Sequence, residues 1–205
     1  WIDTSVNSTT INFLNVQKSG RMKIPFGIAQ IGKAFRNEVI ARQFIMRMRE
    51  FEQMEMQFFV RPGTEMEWYK HWKETRLKWH LALDTNPDKY RFHDHTKLAH
   101  YANPAVDIEF EFPIGFKEVE GIHSRGDFDL MQHQSYSRKK QQYFDTDTDP
   151  ATGKHYGNYV PYVIETSIGL DRMFLLVLSH AYTEEDLSTP EKQDSRVVLK
   201  IPAKL

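Results

Sequence analysis

"FRNEVIARQFIMRMREFEQMEMQF", residues 35–58, decides the fold because it sets charged side chains in a strand-like segment rich in Phe, Ile and Met. The charged residues discussed below are Arg36, Glu38, Arg47, Arg49, Glu50, Glu52 and Glu55. Unpaired charge is expensive to bury, so the strand of a purely apolar core does not carry this composition. The segment therefore predicts strands with one polar face that holds a ligand or pairs with other charges.

Two strands are predicted here, over 22–39 and 45–60, joined by a short loop around 41–44 into an antiparallel hairpin. Successive side chains of a strand point to opposite faces, so residues two apart share a face. The first strand then presents Arg36 and Glu38 together, and the second presents Arg47, Arg49, Phe51 and Glu55. Pairing of the strands brings both sets onto one surface.

This surface has the chemistry of a nucleotide platform. Arginine binds phosphate oxygens in a bidentate manner, an aromatic ring stacks on a purine, and a carboxylate accepts a hydrogen bond from an exocyclic amine. The alternative is a solvent-exposed strand face with cross-strand ion pairs. Spacing alone leaves both interpretations open.

The rest of the chain predicts a mainly antiparallel α+β domain. Helices are expected over 65–83 and 171–182, and a short helix or an irregular segment over 129–140. One or two strands that turn at Pro113 and Gly115 are expected within 106–122, further strands within 159–167 and 197–205, and a polar hairpin over 143–159. Trp68, Trp72, Trp79 and Leu83 recur as one stripe of the first helix. Packing of this stripe against the sheet is favoured over a stacking surface for bases. No secondary structure is assigned to residues 1–10.

Composition narrows the class of protein. The chain has 205 residues, 27% charged and 40% hydrophobic, with a net charge of −1, so no global positive field attracts nucleic acid. The absence of cysteine excludes disulfides, thiolate catalysis and cysteine-ligated zinc. No apolar run approaches the ~18 residues of a membrane span, so no membrane partner is expected. The first residue is Trp1 and no signal pattern follows, which predicts a fragment.

Three blocks in order give the chain a specific resemblance. "FRNE" followed by R-x3-F-x3-E, here Arg47, Phe51 and Glu55, resembles motif 2 of the class II aminoacyl-tRNA synthetases. "VIETSIGLDRMFLLVL" (163–178) is similar to motif 3. "KEVEGIHSRGDFDLMQH" (117–133) resembles a block diagnostic of glycyl-tRNA synthetases of the homodimeric, single-polypeptide kind. The resemblance implies a class II catalytic core, an antiparallel sheet flanked by helices, over 1–196. Residues 197–205 would begin a C-terminal anticodon-binding domain.

The family also implies roles in ATP binding. Arg36 would hold the α-phosphate, Glu38 would accept from the adenine amino group, and Phe51 and Arg172 would cover the two adenine faces. Arg36 and Arg172 are the expected catalytic residues, and Glu118 is expected to approach Mg²⁺ bound with ATP. The full set expected at ATP is Arg36, Asn37, Glu38, Met46, Arg47, Met48, Arg49, Glu50, Phe51, Glu118, Val119, Gly169, Leu170, Asp171 and Arg172.

A glycine pocket is implied beside the ATP site, in which carboxylates hold the ammonium group and Arg125 holds the carboxylate. Its expected residues are Phe51, Glu52, Gln53, Met54, Glu55, Arg125, Glu165, Thr166, Ser167, Ile168 and Gly169. The implied activity is glycine activation by ATP and transfer to tRNA(Gly), by a cytoplasmic homodimer.

Two rival functions stay open. One is a non-catalytic synthetase paralogue, such as the accessory subunit of mitochondrial DNA polymerase, which would bind nucleic acid or a protein. Such relatives usually lose the motif arginines, whereas Arg36, Arg47 and Arg172 are present here. The other is a class II enzyme specific for proline, threonine or serine, against which the block containing Arg125 argues.

Two segments carry residue types that ligate metal ions. His93, His95 and His100 suggest zinc, but without a supporting carboxylate or cysteine pattern a surface loop is favoured. "DTDTDPATG" (145–153) resembles a calcium loop but lacks the Gly and Glu that an EF-hand requires. His123 lies inside the third block and is expected to pack beside the ATP site.

Overall fold

The computed structural model describes residues 4–83, 86–95 and 104–201. The helices of this part are α1 (Thr4–Ser19), α2 (Glu65–Leu81), α3 (Phe128–Ser137) and α4 (Leu170–Ala181). The strands are β1 (Phe26–Phe35), β2 (Glu50–Val60), β3 (Tyr90–Asp94), β4 (Ala105–Phe112), β5 (Gly115–Gly126), β6 (Tyr143–Thr148), β7 (His155–Tyr159), β8 (Tyr162–Gly169), β9 (Tyr182–Asp186) and β10 (Ser195–Leu199).

A six-stranded antiparallel sheet in the order β1-β2-β8-β5-β4-β3 forms the centre of the domain. The predicted α+β class with an antiparallel sheet and flanking helices is confirmed. The predicted hairpin is β1 and β2, whose register runs from Phe26 opposite Phe59 to Phe35 opposite Glu50. Both strands are shorter than expected, because residues 36–49 form a loop with a 3₁₀ turn over Phe44–Met46. Arg47 and Arg49 therefore lie in this loop and not on a strand face.

Helices α2 and α4 cover one face of the sheet. The even-numbered side chains of β2 point to this side, where the Phe58 ring lies 4.9 Å from Trp68 and 5.1 Å from Trp72, measured between ring centroids. Leu176 of α4 is fully buried in the same apolar cluster. Packing of the tryptophan stripe against the sheet is thus confirmed for Trp68 and Trp72. Trp79 stays 38% exposed, with the Arg76 guanidinium 4.4 Å from its ring.

Helices α1 and α3 cover only half of the opposite face. There Phe13 of α1 and Leu130 of α3 pack in a second apolar cluster with Phe26, Phe59 and Val163 of the sheet. The odd-numbered side chains of β2 point to this side, and they change from Phe59 to Gln57, Glu55 and Gln53 along the strand. The sequence therefore divides this face into an apolar half under the helices and a polar half beyond them.

A β-bulge in β5 changes which side chains face the polar half. Glu120 pairs with Ile108, while Glu118 pairs with Glu109, so Val119 is the extra residue on its strand. The bulge reverses the alternation of faces. Val119 and Glu120 consequently turn into the α2 side, and Glu118 joins the polar face.

The remaining helices and strands match the predicted ones only in part. The turn at Pro113 to Gly115, helix α3 and the polar hairpin β6–β7 are present as predicted. Helix α1, where no assignment was made, and the short strands β3 and β9 were not predicted. The strand predicted within 197–205 is β10, which begins at Ser195 and pairs with β9. Within the described ranges, the helices all lack the length and apolarity needed to cross a membrane.

Candidate active site

A cavity of about 390 Å³ opens on the polar half of the sheet. Its floor comes from odd-numbered residues of two neighbouring strands, because Glu55 of β2 lies directly opposite Ser167 of β8, and Gln53 lies opposite Gly169. Glu55 and Gln53 are 3% and 8% exposed, so the floor is a polar surface that is largely shielded from solvent. The Gln53 side-chain amide donates to Ser167 Oγ, which fixes both groups.

Arginine side chains stand around the cavity. Arg172, in the first turn of α4, donates from Nη2 to the Met46 carbonyl at 2.7 Å and from Nη1 to the Glu118 carbonyl at 2.8 Å. Its Nη1 also lies 3.2 Å from Glu118 Oε2. Arg172 thereby joins the loop after β1 to β5, on the far side of β2 and β8.

Arg36 leaves the end of β1, where its amide donates to the Arg49 carbonyl at 2.9 Å. Its guanidinium carbon lies 5.3 Å from the centroid of Phe51, which is cation–π distance. Arg47 Nη1 lies 3.6 Å from Glu38 Oε2 in the same cavity wall. Of the six side chains that the sequence grouped as a nucleotide platform, the structure therefore brings five to this cavity, namely Arg36, Glu38, Arg47, Phe51 and Glu55.

Arg49 has a different position from the one predicted. Its guanidinium donates to the carbonyls of Glu38 at 2.9 Å and Val39 at 3.2 Å, and it does not line the cavity. The physical reason is that β2 begins only at Glu50, so period-two alternation does not extend to Arg49. Its side chain braces the loop that carries Glu38.

Glu165 is the centre of the buried charge network in the floor. Its Oε2 accepts from Arg125 Nη1 at 2.9 Å and from Gln57 Nε2 at 2.8 Å, and its Oε1 lies 3.2 Å from His123 Nδ1. Burial by itself would raise the pKa of this carboxyl, but the His123 hydrogen bond and the Arg125 charge lower the pKa to about 2. Glu165 is therefore a carboxylate at neutral pH.

Arg125 is held on a second side by Asp129 of α3. Arg125 Nε lies 2.7 Å from Asp129 Oδ2, and Nη2 lies 3.1 Å from Asp129 Oδ1, a bidentate pair. The register of β5 against β8 passes from Ser124 directly to Gly126, so Arg125 is the extra residue of a second bulge. Gly126 follows at φ +62°, a value that favours glycine.

The structure divides the predicted site residues into two groups. The side chains or backbone that line the cavity belong to Arg36, Glu38, Met46, Arg47, Met48, Phe51, Gln53, Glu55, Glu118, Arg125, Glu165, Ser167, Gly169, Asp171 and Arg172. The predicted residues outside its lining are Asn37, Arg49, Glu50, Glu52, Met54, Val119, Thr166, Ile168 and Leu170. Most of the second group are strand residues whose side chains alternate to the other face. Any contact of these residues with a substrate stays a prediction.

Further residues line the cavity that sequence reasoning did not place there: Ile45, His95, Ala105, Asp107, Gly121 and His123. His123 was expected only to pack nearby. Asp107, on β4, lies opposite Gly121 of β5, and His95 Nε2 lies 2.8 Å from Asp107 Oδ2. Gly121 was the available signal, because a glycine inside a strand often marks close approach of other groups. A Cβ on Gly121 would lie 2.7 Å from His123 Cε1.

Comparison with known proteins agrees with the fold and the three motifs. Residues 5–181 match the model of the tRNA synthetase class II core domain (G, H, P, S and T), and the chain belongs to this family. The predicted class II core and the resemblance to glycyl-tRNA synthetases are confirmed.

The similar curated proteins are named glycine–tRNA ligases. That of Chlorobaculum tepidum is 52% identical over 196 residues, covering 95% of this chain and 39% of that protein. That of Borreliella burgdorferi (strain ZS7) is 52% identical over 200 residues, 95% of this chain and 43% of that protein. That of Treponema denticola is 50% identical over 195 residues, 93% of this chain and 42% of that protein. The chain thus spans about two fifths of the length of these relatives.

Proposed function

We propose that this chain is the catalytic core of a glycine–tRNA ligase, which activates glycine with ATP and transfers it to the 3′ end of tRNA(Gly). The observation that carries the proposal is the convergence of Arg36, Phe51 and Arg172 on a cavity whose floor holds the Glu165–Arg125 pair. The identity to glycine–tRNA ligases of other organisms supports the same reaction.

The ATP end of the cavity would be its arginine-lined part. Arg36 and Arg47 offer guanidinium groups for the triphosphate, and Phe51 offers an aromatic face for the base. The reaction needs no protein nucleophile, because the carboxylate of glycine itself attacks the α-phosphorus. The task of these residues is to align the reactants and to stabilise negative charge as pyrophosphate leaves.

Glycine would bind over the buried floor. The Glu165 carboxylate, ionised at neutral pH, would provide negative charge for the substrate ammonium group, and Glu55, which accepts from the same Gln57 amide, would offer further acceptor oxygens. Arg125 carries the only guanidinium of the described residues that reaches Glu165, and it would orient both this carboxylate and the substrate. The pocket would select glycine by excluding larger side chains, since admitting them would leave only ~1–3 kcal/mol of discrimination per methylene.

Mg²⁺ would enter with the nucleotide. Glu118 and Asp171 line the cavity near Arg172, and carboxylate oxygens of this kind fit Mg²⁺, which usually takes one or two carboxylates together with substrate phosphates. The ion would neutralise phosphate charge. Glu118 is the residue that we propose as its protein ligand, and the contact with Arg172 keeps this side chain at the cavity.

Several further properties belong to the whole protein. We propose that it is a cytoplasmic homodimer that binds tRNA(Gly). We also propose that residues 1–196 form the catalytic domain and that residues 197–205 lead into an anticodon-binding domain, of which residues 202–205 lie outside the described part.

Amino-acid-dependent exchange of pyrophosphate into ATP tests the proposal directly, using the full-length protein and a panel of glycine, alanine, serine and proline. Exchange with glycine alone is expected. Exchange with serine or proline but not glycine would refute the specificity. A folded protein without exchange for any amino acid would favour the non-catalytic paralogue.

A further inference from the structure

Three side chains from three strands or their ends meet in the cavity wall farthest from the β1–β2 loop. They are His95 just after β3, Asp107 of β4 and His123 of β5. One imidazole nitrogen from each histidine and one carboxylate oxygen lie within 4.8 Å of one another, and all three residues are partly buried. Two histidines and one carboxylate are a ligand set suited to Zn²⁺, Fe²⁺ and other divalent transition metals.

The orientation of His123 supports metal ligation independently of this cluster. Its Nδ1 lies 3.2 Å from Glu165 Oε1, and a carboxylate oxygen in this position accepts a hydrogen bond from the ring N–H, which places the ring proton on Nδ1. The lone pair of Nε2 is then available to a metal ion. A carboxylate that fixes the tautomer of a ligating histidine is the usual outer partner of such ligands. Arg125 and Gln57 hold Glu165 in turn.

The space for an ion is provided by Gly121. A Cβ at this position would lie 3.4 Å from His123 Nε2 and 3.6 Å from Asp107 Oδ1, so the missing side chain leaves room between these two groups. His95 closes the third side, with Nε2 at 2.8 Å from Asp107 Oδ2. A zinc ion takes ligands at about 2.0–2.2 Å, so its binding would draw the three side chains together and replace the contact between His95 and Asp107.

We infer that His95, Asp107 and His123 form a binding site for one divalent transition-metal ion, with Zn²⁺ the best match to its ligands. The site is distinct from Glu118, to which we assign Mg²⁺. Three protein ligands would leave at least one coordination position of the ion open, and all three residues line the cavity, from which a further ligand would come. A water molecule or a small nitrogen or oxygen ligand would occupy it.

Metal binding can be measured without ATP, glycine or tRNA, so the result is independent of the proposed activity. Tag-free full-length protein would be stripped with a chelator and titrated with Co²⁺, following the visible absorption bands of the bound ion, and Zn²⁺ would then displace it. We expect one ion per chain. Elemental analysis of the Zn²⁺-loaded protein after desalting would give the stoichiometry.

His95→Ala, Asp107→Asn and His123→Ala should each weaken Co²⁺ binding by at least 100-fold. The matched control is His93→Ala, because His93 lies two residues before His95, is exposed, and has its Nδ1 3.9 Å from Glu109 Oε1. It should bind Co²⁺ as the wild type does. Circular dichroism would establish that each variant is folded, and His95 is the most exposed of the three ligands.

Two results would overturn the inference. The first is a folded wild-type protein that binds no Co²⁺ or Zn²⁺ with a defined stoichiometry. The second is equal weakening by His93→Ala and His95→Ala, which would indicate unspecific binding by surface histidines. A protein that exchanges pyrophosphate normally but fails these tests would disprove the metal site alone.

Discussion

Glu118 and Glu120 are two residues apart on the same strand, yet their side chains lie on opposite faces of the sheet. Glu118 is 48% exposed in the cavity, where its carboxylate contacts Arg172. Glu120 is fully buried under α2, where it contacts Arg76 Nε at 2.6 Å and His80 Nε2 at 2.7 Å. The bulge at Val119 is the cause, because regular alternation would have put both carboxylates on one face.

This relationship predicts opposite effects for a matched pair of variants. Glu120→Ala leaves the fully buried His80 and the partly buried Arg76 without their shared carboxylate, so it should lower the free energy of unfolding by about 3–5 kcal/mol. Its exchange activity per folded molecule should stay within a few-fold of wild type. Glu118→Ala should barely change stability but raise the KM for ATP at least tenfold, because the proposed Mg²⁺ ligand is lost.

Urea unfolding and glycine-dependent pyrophosphate exchange would distinguish the two variants. A large loss of stability in Glu118→Ala with none in Glu120→Ala would show that the bulge is misplaced, and with it the assignment of faces on β5.

Arg36→Ala should reduce glycine-dependent exchange by about 10²–10³-fold, since a preorganised donor to the transition-state charge is removed. The side chain is exposed at the end of β1, so the thermal unfolding midpoint should not change. Lys33→Ala is a suitable control, because Lys33 is exposed on β1, three residues before Arg36, and pairs with Glu50 outside the cavity. Wild-type turnover in Arg36→Ala would end the proposed mechanism.

The sequence predicted the framework well where local pattern and topology agree. The β1–β2 hairpin, helix α2 and the strand-to-helix passage from β8 to α4 were all identified, and the motifs they carry meet in one cavity. Hydrophobic periodicity specifies such elements because one face of each must be buried. The position of Arg36 beside Phe51 followed from strand pairing alone.

What the sequence could not predict were breaks in this regularity. Arg49 was assigned to a strand face because the sequence did not show that β2 begins only at Glu50. In the structure the Arg49 guanidinium donates to loop carbonyls instead. The bulge at Val119 carries no distinct sequence signal, whereas Gly126 was the available signal for the bulge at Arg125. His95 and Asp107 meet only because β3 and β4 pair at the far edge of the sheet, and β3 had not been recognised.

Asp129→Asn should act on glycine binding through Arg125. Asp129 accepts two of the hydrogen bonds that hold the Arg125 guanidinium against Glu165, and a neutral amide replaces a charged, bidentate partner. The KM for glycine should rise about tenfold, while the KM for ATP and the maximal exchange rate change little. Asp127→Asn, at the N-cap of the same helix, removes a charge of the same sign and is the control.

Pyrophosphate exchange measured while glycine and ATP are varied in turn would give the KM for each substrate and the maximal rate separately. An equal fall in maximal rate with unchanged KM values, or the same effect from Asp127→Asn, would contradict the positioning role of Asp129. The variant Asp129→Glu tests this role further. Because it keeps a carboxylate at position 129, it should bind glycine more tightly than Asp129→Asn does.

Acid should destabilise the protein through Glu165. Its pKa is about 2 in the folded state against an ordinary value of 4.5, so between these values the unfolded state takes up a proton that the folded state does not. The stability that Glu165 contributes is complete above pH 4.5 and is lost as the pH falls toward 2, by roughly 3 kcal/mol in total.

The variant Glu165→Gln tests this, because its amide cannot titrate. Its unfolding free energy, measured in urea at pH 6 and pH 3, should therefore fall less with acid than that of wild type, although Gln leaves Arg125 with a weaker partner at both pH values. Identical losses in the two proteins would show that Glu165 is not ionised in this network.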